Sequence, residues 1–177
     1  MAEAARPVQG VAVGGEPDAG FGLYVHWPFC AAKCPYCDFN SHVTEHVDHG
    51  RWAAALGVEV ERAAARTPDR LLTSIFFGGG TPSMMAPETV AGVIDAARRG
   101  WRTANDLEIT LEANPTSSDA ERFAGFAEAG VTRLSLGVQA LNDDDLRRLG
   151  RQHSAEEALA AVARACAQFD RVSFDLI

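Results

Sequence analysis

The chain has 177 residues, 24 acidic against 16 basic, a net charge of −8 and 47% hydrophobic residues. That length suits one domain with a sizeable core, and no apolar run approaches the ~20 residues of a membrane span. Lys33 is the only lysine, and an acidic chain without a basic stripe is a poor candidate for nucleic-acid binding.

Residues 1–20 are rich in Ala, Gly and Pro and lack the basic start and apolar centre of a signal peptide. They read as a disordered leader of a cytoplasmic protein, and residues 21–177 read as one α/β unit. Gly22 to Trp27 predicts a strand, followed by a cysteine-rich loop. Val47 to Arg66 predicts a helix from its apolar spacing. Leu71 to Phe77 is a short apolar strand that runs into three glycines. Pro87 opens a helix to about Arg99, with proline in its first turn. Asp106 to Glu112 is a strand, Ser118 to Ala129 a helix and Arg133 to Gln139 a strand. Asp143 to Leu149 and Ala155 to Phe169 are helices, and Arg171 to Ile177 is a last strand.

Five strands separated by helices predict a parallel sheet. The last strand has no helix after it, whereas a parallel sheet buries both faces. The expectation is therefore the front part of a longer protein. Polar or glycine-rich features follow the C-terminal end of each strand in turn: the cysteine loop, Gly78 to Thr81, Glu112 with Asn114, Gln139, and Asp175. In α/β barrels and open sheets that rim carries the active site.

Cys30, Cys34 and Cys37 have the spacing C-x3-C-x2-C. Three thiolates on one loop can hold three irons of a cubane and leave the fourth open, and soft ligands favour Fe–S or zinc. Structural zinc needs a fourth ligand, which His42, His46 or His49 can offer. Three unrelated free thiols are the remaining alternative. Cys166 sits in Ala-rich helical sequence and reads as a small core residue.

The run Phe76-Phe77-Gly78-Gly79-Gly80-Thr81-Pro82 lets the backbone approach a ligand closely. Glu112 can accept hydrogen bonds at the rim, Gln139 can donate and accept, Arg151 can grip a carboxylate with its forked donors, and Asp175 can accept from hydroxyls.

The cysteine loop resembles the signature of the radical S-adenosylmethionine (SAM) superfamily. That resemblance implies a [4Fe–4S] cluster on Cys30, Cys34 and Cys37, with the methionine end of SAM on the open iron. Electron transfer from the reduced cluster then gives methionine and a 5′-deoxyadenosyl radical. Leu23-Tyr24-Val25-His26-Trp27-Pro28-Phe29-Cys30 and the later motifs resemble the oxygen-independent coproporphyrinogen III oxidase family, from about Leu23 to Ile177. The likeness implies a partial (β/α) barrel that lacks a sixth strand and a C-terminal domain. It also implies cofactor contacts from Tyr24, Gly79, Gly80, Thr81, Glu112, Gln139, Arg151, Asp175 and the backbone of Tyr36.

The true oxidase carries a fourth cysteine two positions after the third, where this chain has Phe39. The run Pro35-Tyr36-Cys37-Asp38-Phe39-Asn40-Ser41-His42 is similar to the haem-chaperone branch, HemW. That branch implies haem bound by the full-length protein, a haem-accepting partner protein and a reductant for the cluster. The alternatives are a radical SAM oxidoreductase that decarboxylates coproporphyrinogen III, and a zinc-stabilised structural module.

Overall fold

The computed structural model describes residues 20–177. The expected leader therefore lies outside the described residues, apart from Gly20. So do the side chains of Ser117 and Ser118. Five strands form one parallel sheet: β1 (Phe21–Trp27), β4 (Leu71–Gly79), β5 (Arg102–Ala113), β6 (Arg133–Gln139) and β7 (Arg171–Leu176), in that spatial order. Between them run α1 (His49–Arg66), α2 (Pro87–Gly100), α3 (Ser117–Ala120), α4 (Phe123–Glu128), α5 (Asp143–Arg148) and α6 (Ala155–Gln168). Two strands of two residues each, β2 (Phe29–Cys30) and β3 (His42–Val43), pair within the cysteine region.

The strands alternate with period two, so one set of side chains faces the helices. Ile75 and Phe77, Ile109 and Leu111, and Leu134 and Leu136 are fully buried there. They share one core with Val93 and Ile94 of α2, Phe123 and Phe126 of α4, and Ala158, Ala161 and Ala165 of α6. The opposite face is polar and carries Thr110, Glu112, Ser135, Gln139, Ser173 and Asp175. Helix ends are capped by side chains as their sequences require. Asp48 accepts from Arg51 N at 3.0 Å, Asn142 accepts from Asp145 N at 2.9 Å, and Ser154 with Glu157 forms a full capping box.

Three expectations are corrected. The helix over Ser118 to Ala129 is two short helices, because the chain breaks at residues 121–122 between α3 and α4. β5 begins four residues before Asp106, pairing Leu71 with Arg102 across a register shift. Cys166 is exposed: the buried stripe of α6 is Ala158, Ala161 and Ala165, which leaves residue 166 on the outer face of the helix.

Candidate functional site

The C-terminal strand ends surround one cavity of ≈ 540 Å³. Cys30, Cys34, Cys37, Tyr36, Gly79, Gly80, Thr81, Glu112, Gln139, Arg151 and Asp175 all line it. Residues up to 145 positions apart in sequence thus meet because parallel strands put their ends on one rim. Tyr24 does not line the cavity. It stands on the same sheet face, exposed, with its ring stacked on Phe76 at 6.1 Å.

Cys30 is buried, Cys34 and Cys37 are half-buried, and all three are free thiols. The loop closes through Cys37 N donating to Cys34 O at 3.1 Å and His42 N donating to Pro28 O at 2.7 Å. Among the described residues no three His, Cys, Asp or Glu side chains gather where they can hold a single metal ion. His42 and His46 are exposed, and His49 stacks on Trp27 at 6.0 Å.

The glycine run is shaped by close approach. Gly79 has φ +114°, and a Cβ there would lie 2.7 Å from the His26 ring. A Cβ at Gly80 would lie 2.6 Å from Phe29 O and 3.0 Å from Cys30 Sγ. The run is thereby tied to the cysteine loop, with Gly80 N donating to Trp27 O at 2.7 Å and Thr81 N to Phe29 O at 2.8 Å.

Arg151 crosses the floor of the site. Its guanidinium donates to Asn114 Oδ1 and Gly137 O, both at 2.7 Å, to Cys34 Sγ at 3.3 Å and to Tyr36 OH at 3.4 Å. Gln139 Nε2 donates to Asp175 Oδ2 at 2.6 Å. Gln139 is the only non-glycine residue among those described with positive φ, 71°, and such a conformation costs ~1–3 kcal/mol. It sits where the β6–β7 register slips. Gln139 Oε1 and Arg151 Nε are buried without a partner.

Burial pushes the Glu112 carboxyl above its ordinary range; the nearby Asp175 charge adds to this and a hydrogen bond from Gly79 N opposes it. Burial also raises the Tyr24 hydroxyl, with Glu112 contributing, and raises that of Tyr36 despite Arg151 beside it. These shifts describe a partly desolvated pocket in which a positively charged guest is welcome beside Glu112 and Asp175.

Residues 24–177 match the Radical SAM superfamily. The chain belongs to that superfamily. It is 43% identical over 181 residues to radical S-adenosyl methionine domain-containing protein 1, mitochondrial, of Bos taurus, spanning 100% of this chain and 41% of that protein. It is 44% identical over 147 residues to the heme chaperone HemW of Haemophilus influenzae, covering 79% of this chain and 38% of that protein. The HemW of Mycobacterium tuberculosis is 41% identical over 165 residues, with 91% of this chain and 42% of that one covered. Among solved structures, the radical SAM enzyme coproporphyrinogen III oxidase (HemN) of Escherichia coli superposes with a TM-score of 0.78 at 28% identity, over 89% of this chain and 37% of that one. The chain thus spans about 40% of the length of these relatives. The five-stranded parallel sheet is the α/β architecture expected of a radical SAM barrel wall.

The sequence reading did not single out His26 or Ser135. His26 Nε2 lies 2.9 Å from Asn40 O, which can only accept, so this nitrogen carries the proton. Nδ1 lies 3.3 Å from Tyr24 OH. The signal for both residues was strand alternation: His26 shares a face with Tyr24, and Ser135 with Gln139.

Proposed function

We propose that this chain is the cluster- and SAM-binding part of a haem chaperone. The observation that carries the reading is convergence: three cysteines, a glycine run, three polar rim residues from separate strands and Arg151 meet in one cavity. Relatives named as haem chaperones at 41–44% identity support the branch, as does Phe39 in place of a fourth cysteine.

The residues present suit the cofactors. Buried Gln139 Oε1 and Arg151 Nε lack partners, and the space a Cβ would fill at Gly80 is bounded by Cys30 Sγ. When bound, the reduced cluster supplies one electron to SAM. In this reading Cys30, Cys34 and Cys37 hold the irons. Arg151 would orient the SAM carboxylate, and Glu112 would accept from the SAM amino group beside the Gly79–Thr81 backbone. Gln139 and Asp175 would accept from ribose hydroxyls, and Tyr36 would contribute its backbone. Tyr24 acts at one remove, steadying His26 beneath Gly79. Residues 21–177 act as the core for these cofactors, with haem bound by the intact protein and passed to an acceptor protein, and a separate reductant feeding the cluster. The proposed compartment is cytoplasmic, where thiols stay reduced; no helix of the described residues is long and apolar enough to cross a membrane.

The second reading is a porphyrinogen-decarboxylating radical enzyme, favoured by the similarity to coproporphyrinogen III oxidase. Haem titration of the intact protein beside an anaerobic assay for decarboxylated porphyrinogen separates the two. Stoichiometric haem binding without decarboxylation supports the chaperone; turnover of porphyrinogen overturns it.

A further inference from the structure

Two aromatic residues of the cysteine loop line the cavity yet remain exposed, Tyr36 and Phe39, with Phe39 at 58% of its full exposure. They form an apolar rim above a polar floor. Apolar rings left in water at the mouth of a built pocket mark a surface that a ligand covers.

The backbone that presents Phe39 is held firmly. The Phe39 carbonyl accepts from Lys33 Nζ at 3.2 Å, Ser41 N at 2.8 Å and Ser41 Oγ at 3.4 Å. The next carbonyl, Asn40 O, accepts from His26 Nε2, and the next, Ser41 O, accepts from Lys33 Nζ at 3.5 Å. Three successive carbonyls are thus gripped by side chains from β1 and from the cysteine loop. An exposed aromatic ring on a backbone pinned in this way is preorganised for contact, so little ordering entropy remains to be lost on binding. Lys33 itself lines the cavity. An ammonium has three donors, and with two engaged by carbonyls one is left for an anion. A rigid flat ring beside a cation selects a flat apolar molecule that carries carboxylates.

We propose that Phe39 is a specificity-determining residue that covers one face of a flat macrocycle whose carboxylates meet Lys33 at the mouth of the cofactor cavity. This rests on the haem-chaperone reading and assigns part of the cargo contact to this chain. Recognition acts through the ring face and the carboxylates, so it extends to the porphyrin with or without its iron.

The test uses the intact protein, cluster-loaded and anaerobic, titrated separately with haemin, with protoporphyrin IX and with protoporphyrin dimethyl ester. Phe39→Ala weakens haemin and protoporphyrin binding roughly tenfold, the loss expected for one aromatic face, while Phe39→Trp retains wild-type affinity. The ester, which offers Lys33 no anion, binds wild type more weakly and keeps the Phe39→Ala loss. Iron content and the SAM-dependent EPR change stay the same in both variants. Unchanged titrations in Phe39→Ala overturn the inference. So does a variant that sheds iron along with porphyrin, since Phe39 would then be holding the loop. If wild type binds no porphyrin, the chaperone reading itself fails and the inference falls with it, an outcome distinct from a wild type that binds and a Phe39→Ala that binds equally well.

Discussion

Gly80→Ala tests whether the glycine run and the cysteine loop form one unit. The new Cβ would stand 2.6 Å from Phe29 O, 2.9 Å from Phe29 C and 3.0 Å from Cys30 Sγ. Two of those atoms are backbone and cannot swing aside, and Phe29 O is held by Thr81 N at 2.8 Å. Relief requires β2 to move, and Cys30 moves with it. Overpacking of this kind costs about 1–3 kcal/mol, which lowers the melting midpoint by about 2–12 °C in a domain of this size. Gly92→Ala in α2 is the matched control, because no atom lies within 4 Å of its added Cβ. It gains up to about 1 kcal/mol of helix propensity, so the two midpoints move in opposite directions. The assay is thermal unfolding followed by circular dichroism, with iron counted per chain after anaerobic reconstitution. A Gly80→Ala protein with wild-type midpoint and full iron would refute the reasoning.

Glu112→Gln stabilises the cofactor-free protein at neutral pH and weakens SAM binding. The Glu112 carboxyl titrates above its ordinary 4.5 in the folded chain. The linked stability is therefore present below that value and lost as pH rises through the raised one. A melting series against pH should show the variant's advantage shrinking as the pH falls towards about 4.5. Arg151→Ala removes donors to Asn114 and Gly137, and SAM affinity measured by equilibrium dialysis drops roughly 10–100-fold, the range for hydrogen bonds from a charged group. Trp101→Phe loses the hydrogen bonds from Nε1 to Thr67 at 3.0 and 3.1 Å; unfolding in urea should show it less stable by about 1 kcal/mol. In native protein without cluster, maleimide labels exposed Cys166 well before buried Cys30; equal rates would contradict the placement of α6.

The strands were legible in the sequence because each is a short apolar run stopped by glycine, proline or a polar pair, and burial of one face enforces that pattern. The rim was legible for a related reason: in a parallel sheet the residues after each strand must meet, so Gly79, Glu112, Gln139 and Asp175 could be grouped without coordinates. Cys166 was misjudged because an alanine-rich helix hides its own orientation. Alanine is present on both faces of α6, and only packing against Phe123 and the sheet chooses between them. The pair β2 and β3 is too short to show any period. The grip of His26 and Lys33 on residues 39–41 ends on backbone carbonyls, which every residue has, so no residue type announces it. The register slip between β6 and β7 beside Gln139 likewise depends on how the two strands pair, beyond what alternation within one strand can reveal.

The central claim is that Cys30, Cys34 and Cys37 hold a cluster whose open iron takes SAM. The most direct measurement is anaerobic reconstitution with iron and sulfide, a count of both, and EPR of the reduced protein with and without SAM. The account predicts about four irons per chain and a signal that changes when SAM is added. A protein that is folded by circular dichroism but holds zinc and no iron would contradict it.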